Sequence, residues 1–155
     1  MVPIMAQAGQ CFDLGKGVFM EVLHPRAPPQ AGDDPNDSSI VLRLVWDEIS
    51  FLLMADVGVA VEWDLLMERA VSEATVLKVA HQGADSSTSP EFLAVADPEV
   101  AVLSVGADNR FGHPSPEVVS RLQESLGAEN LYLTSERGTV ELITDGQRLW
   151  VETER

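Results

Sequence analysis

Asp56 closes the strongly apolar run Ile49 to Ala55, and His81 closes the next one, Thr75 to Ala80. If those runs are neighbouring strands, their carboxyl ends bring a carboxylate and an imidazole to one edge, where oxygen and nitrogen donors suit zinc or manganese. Residue type alone favours a structural alternative, with Asp56 capping a helix start and His81 packing at the core rim. His113 sits on a glycine-containing loop, Asn109-Arg110-Phe111-Gly112-His113-Pro114, after the following strand, so a third polar group reaches the same edge. Its bland alternative is a histidine that bonds loop backbone. Ser86 and Ser87, followed by Thr88 and Ser89, offer hydroxyls and N–H groups to a phosphate at the start of the next helix. Helix capping accounts for them almost as well. His24, beside Pro25, is read as a strand-end residue with no catalytic role.

Several enzyme classes lack their signature. No Gly-x-Ser-x-Gly turn supports a serine nucleophile, and no phosphate loop, dinucleotide fingerprint or HExxH helix occurs. Ten Lys and Arg against 25 Asp and Glu leave a net charge of −15, which argues against gripping phosphate backbones by charge alone. An anionic ligand would need a metal or a local pocket. The single Cys11 leaves no disulfide framework and no Cys-rich zinc site. That fits a reducing cytosol and is compatible with export, although the first ten residues do not resemble a secretory signal. With 155 residues, 45% of them hydrophobic and none in an unbroken membrane-length run, the composition is that of one soluble domain.

The elements that must position these residues follow from local pattern. Cys11–Leu14 and Val18–Leu23 read as a hairpin around Gly15-Lys16-Gly17, and Ser39–Trp46 and Ile49–Ala55 as a second around Asp47-Glu48. Between the hairpins, residues 25–37 are rich in Pro, Gly, Asp and Asn and read as a surface loop. Trp63, Leu66, Met67 and Ala70 recur at helical spacing and predict an amphipathic helix over 62–70 with those residues on its apolar face. Thr75–Ala80 and Val100–Val105 read as strands that open into polar loops. Ser89-Pro90 starts a helix ending at Asp97-Pro98, and Ser115-Pro116-Glu117 starts one running to Leu126 before Gly127. Three strands follow, Leu131–Thr134, Val140–Thr144 and Leu149–Glu152, the last two joined through Asp145-Gly146. No repeat or linker divides residues 1–155, so the chain reads as one α/β domain or part of one.

In this order the segments resemble the metallo-β-lactamase-like C-terminal domain of ComEC-type DNA-internalisation (competence) proteins. The pieces are Val22-Leu23-His24-Pro25, then residues 36–44, then Phe51 to Asp56. Val76-Leu77-Lys78-Val79-Ala80-His81-Gln82-Gly83 follows, then Ser104-Val105-Gly106 with Asn109 to Pro114, and Gly138-Thr139-Val140. The resemblance implies an αββα sandwich of mixed sheets and short helices, of which this chain is the second half. It further implies a metal-dependent nuclease-like hydrolase that degrades the DNA strand not imported, while a membrane-embedded part of the same protein forms the channel. The segment itself would then be soluble and extracytoplasmic. On matching positions, Asp56 and His81 are similar to metal-binding residues of the family, with zinc or manganese as the divalent metal. His113 resembles the histidine of its Gly-His-Pro loop, a group for phosphate contact or proton transfer.

The departures carry equal weight. The His-x-His-x-Asp-His motif that supplies most ligands is absent, the family's Thr-Gly-Asp is Met54-Ala55-Asp56, its second neighbouring histidine is Gln82 and its following serine is Ala84. A two-metal cluster needs more donors than remain. Three explanations compete: a shortened second half whose ligands lie upstream, complementation by another subunit, or a non-catalytic scaffold or binding module that keeps the fold. The first accounts for the missing motif most simply. A half-sandwich should also leave one sheet face without its partner layer, which favours a homodimer. As an isolated chain it is therefore expected to lack activity, the divalent metal belonging to the complete domain.

Overall fold

Two hairpins and three strand–helix–strand units build one sheet. In the computed structural model, which describes residues 5–155, β1 (Cys11–Gly15) and β2 (Val18–His24) pair antiparallel, as do β3 (Val41–Trp46) and β4 (Ile49–Leu53). Lys16 and Asp47 take left-handed φ values of 55° and 50° in the two connecting turns, the geometry that matches the twist of the flanking strands. From β4 onward the pairing is parallel through β5 (Val76–Lys78), β6 (Val100–Leu103) and β7 (Leu131–Leu133). The seven strands lie in sequence order, β1 to β7.

Parallel neighbours need crossovers, and these are α1 (Val59–Met67), α2 (Pro90–Ala96) and α3 (Pro116–Leu126). Because every step moves one strand in the same direction, crossovers of one hand place all three helices on one face. Val61 and Leu65 of α1, Phe92 and Leu93 of α2, and Val118 and Leu122 of α3 accordingly share a core with Leu52, Leu77, Ala101 and Leu131. Serine caps set two of the starts: Ser89 Oγ accepts the N–H of Phe92 and Ser115 Oγ that of Val118, each with proline at the first helical position.

Leu133 leads directly into a helical turn, α4 (Thr134–Arg137), which the strand pattern did not anticipate. The turn is held by Thr134, whose Oγ1 accepts the N–H of Val105 and donates to the Val105 carbonyl. The chain then forms a separate ribbon of β8 (Val140–Thr144) and β9 (Leu149–Thr153). Val140, Leu142, Leu149 and Val151 pack on Val76, Val100 and Val102, so the ribbon covers the sheet face opposite the helices. The result is an α/β arrangement of a helix layer, a mixed seven-stranded sheet and a two-stranded ribbon. Beyond the ribbon, Phe12, Met20 and Leu44 continue the row of Phe51 across β1 to β3 and stay half-exposed. No helix among the described residues is long and apolar enough to cross a membrane.

One element departs from its expected register. The helix expected over 62–70 begins at Val59, and its buried residues are Val61, Glu62 and Leu65, while Trp63 and Met67 face solvent. Apolar spacing placed Leu66 and Ala70 correctly against the core but misassigned Trp63 and Met67, because the position that looks most polar has a partner. The Glu62 carboxylate, fully buried, accepts the N–H groups of Thr88 (2.5 Å) and Ser89 (2.8 Å).

Candidate functional site

The carboxyl ends of β4, β5 and β6 lie side by side because those strands are parallel, the place where loops of open α/β sheets build sites. Asp56 follows β4 by three residues and His81 follows β5 by three. Their loops are tied by the His81 N–H, which donates to the Ala55 carbonyl at 2.8 Å. Both side chains line a cavity of about 370 Å³. His113, on the loop after β6, meets His81 edge to face with ring centroids 5.5 Å apart. The structure thus brings Asp56, His81 and His113 to one rim.

Local backbone chemistry makes this convergence possible at a cost. Ala55, His81 and Gln82 hold left-handed φ values of 47°, 45° and 53°, each unfavourable by about 1–2 kcal/mol for a side-chain-bearing residue. Gly83 continues the turn at φ 76°, and its carbonyl accepts the Ser115 N–H at 2.8 Å. Gln82 Oε1 accepts from Asn109 Nδ2 at 3.1 Å, fastening the His113 loop to the His81 turn. Gln82 is therefore occupied as a strut between loops.

The two serines separate. Ser86 lines the cavity, and its carbonyl accepts the Val59 N–H at 2.9 Å. Ser87 is fully buried and its hydroxyl donates to the Ala84 carbonyl at 2.9 Å, turned away from any phosphate. The N–H groups expected to cradle that phosphate are also taken, since Glu62 holds those of Thr88 and Ser89. A carboxylate already fills the anion position at the start of α2, so among these residues only Ser86 is open to a ligand.

Three functional neighbours were missed from sequence. Asp34 and Asp37 reach the cavity from the loop between β2 and β3, which His24 draws in by donating from Nε2 to the Asp37 carbonyl at 2.7 Å. A histidine ending a strand before a long polar loop was the available signal. Lys78, at the end of β5, is the third; its Nζ donates to the Val79 carbonyl at 2.8 Å. Burial pushes the Lys78 ammonium below its ordinary pKa of 10.5, and the nearby Asp56 charge opposes that shift. Because the folded state holds this proton less tightly than the unfolded state, the burial penalty is complete below the folded pKa. It fades as pH rises from there towards 10.5. Urea midpoints for the wild type should therefore gain on those of Lys78→Met across this alkaline window, and parallel profiles would contradict the assignment.

These donors do not fit a two-metal centre. Among the described residues, no three His, Cys, Asp or Glu side chains come together closely enough to hold a metal ion. A second cavity, about 550 Å³ between the β1–β2 edge and the end of α1, shares no lining residue with the Asp56 cavity. Of its charged groups, Arg26 and Glu68 are paired with each other.

Fold and rim together define an α/β domain with an acid and two imidazoles at its parallel-strand edge, and the homologues of this chain are competence proteins. No family model matches the chain. It is 32% identical over 126 residues to ComE operon protein 3 of Bacillus subtilis, covering 81% of this chain and 16% of that protein. It is 32% identical over 108 residues to competence protein ComA of Neisseria gonorrhoeae, covering 69% of this chain and 15% of the relative. Recombination protein 2 of Haemophilus influenzae is 29% identical over 113 residues, 73% of this chain and 14% of the relative. The chain thus spans about 14–16% of the length of these curated relatives.

Proposed function

We propose that this chain is the second half of a metallo-β-lactamase-like, nuclease-like domain of a DNA-uptake protein, and that it contributes to hydrolysis of the non-imported strand only within the complete protein. The observation that carries this reading is the meeting of Asp56, His81 and His113 at one rim. Those are the residues that the resemblance marks for chemistry. In the complete protein, Asp56 and His81 would add donors to a centre of zinc or manganese only with further ligands from an upstream segment, since the described donors of this chain do not suffice. His113 meets the phosphate or moves a proton at the rim. The membrane-embedded part of the same protein delivers single-stranded DNA to the domain, which lies outside the membrane. A preceding half-sandwich lies over the half-exposed row of Phe12, Met20 and Leu44, and a second copy takes that place when the chain stands alone.

A second reading, a binding or scaffolding module without catalysis, is favoured by Gln82 serving as a strut to Asn109 and by the described donors being too few to hold a metal. Cleavage of single-stranded DNA with added manganese separates the two. The isolated chain is expected to show no turnover, and turnover by it would overturn the claim that it needs the rest of the protein. The complete protein is expected to cleave, with His113→Ala lowering kcat/KM by about 10²-fold or more. A complete protein that neither binds manganese nor cleaves would leave the scaffold reading.

A further inference from the structure

We infer that the loop carrying His113 is a stacking platform for a base of single-stranded DNA, with Phe111 as the ring that receives it. This rests on the nuclease-like reading and extends it to how the strand is held. Phe111 is 70% exposed, so its ring contributes little to the core. Yet the backbone that carries it is held in place. Its N–H donates to Asn109 Oδ1 at 2.8 Å, and Asn109 Nδ2 donates to Gln82 Oε1 at 3.1 Å in the turn that carries His81.

The ring also stands in line with the site. Phe111 and His113 are stacked at an interplanar angle of 22° with centroids 6.4 Å apart. His113 then meets His81 edge on at 5.5 Å, and His81 lines the Asp56 cavity. The Arg110 guanidinium lies over the Phe111 ring, 5.6 Å from its centroid. A base that stacks on Phe111 displaces this guanidinium, which is then free to meet the adjoining phosphate.

Charge explains why stacking is the mode of choice. A chain of net charge −15 repels a phosphate backbone, so counterion release cannot supply the affinity. Stacking involves the uncharged face of the base and escapes that repulsion. The affinity should therefore depend on bases being present and only weakly on salt.

The test compares labelled oligodeoxythymidylate of about 12 nucleotides with an abasic strand of equal length, by fluorescence anisotropy on the full chain. Wild type is expected to bind the thymidylate roughly 5- to 100-fold more tightly than the abasic strand. Phe111→Ala is expected to erase that preference with an unchanged melting temperature, since the ring is exposed. Phe111→Trp should keep it, with indole emission quenched on binding, and Arg110→Ala should weaken both strands while leaving the preference. Retention of the preference by Phe111→Ala, or a wild type that binds both strands equally or neither, overturns the inference. Its failure is distinct from failure of the nuclease-like reading. Equal binding with cleavage by the complete protein removes the platform alone, and base preference without cleavage removes the nuclease alone.

Discussion

Glu62→Ala is expected to lower stability by about 3–5 kcal/mol, the sum of two buried N–H groups left without an acceptor. The carboxylate sits on the first turn of α1, is fully buried, and reaches across to the start of α2. Thr88 holds a left-handed φ of 59°, and its carbonyl accepts from Arg121 Nη1 at 2.5 Å, so Glu62 and Arg121 clamp this strained residue from two sides. Removing the carboxylate leaves both donors in an environment water does not reach. For a domain of this size the loss corresponds to a fall of about 10 °C in melting temperature. Glu62→Gln keeps one acceptor oxygen and should lose about half as much. Urea unfolding with an unchanged denaturant slope measures both; a loss below about 1 kcal/mol for the alanine variant would show that the two N–H groups find other partners.

The second large effect is at Gly83. A Cβ there would lie 2.7 Å from Leu103 Cδ2 and 2.8 Å from Pro114 Cβ, on a backbone already at φ 76°. The left-handed conformation costs an alanine about 1–2 kcal/mol, and forcing Pro114 and Leu103 apart adds about 1–3 kcal/mol. Gly83→Ala is therefore expected to destabilise by about 3 kcal/mol and to push the His113 loop away from His81. Gly112→Ala is the internal control. It has the same φ of 76° with nothing within 4 Å, so it should cost only the conformational part. Equal losses for the two variants would mean that the close approach at Gly83 relaxes without effect on the site.

Features governed by near neighbours in the chain were legible. The turns at Lys16-Gly17 and Asp145-Gly146, the Ser89-Pro90 and Ser115-Pro116 helix starts and the ending at Gly127 rest on steric and hydrogen-bonding preferences within four residues. The rim was legible for a related reason. Asp56 and His81 each interrupt an apolar run, and parallel order puts such interruptions on one edge.

What escaped the pattern involves partners distant in sequence. Glu62 reads as a solvent-facing residue until the N–H groups of residues 88 and 89 arrive. Ser87 reads as a ligand-facing hydroxyl until the carbonyl of Ala84 claims it. Asp34 and Asp37 belong to a loop with no regular pattern, and the His24 bond to Asp37 ties that loop at the cavity.

By itself, then, the order of residues determined the strands, the helix caps and the edge at which polar groups collect, because those depend on backbone preferences and on apolar runs needing burial. Tertiary structure alone decided which polar atoms remain available at that edge. A buried hydroxyl, carboxylate or N–H must find a partner, and where that partner lies is settled only when the layers close around it.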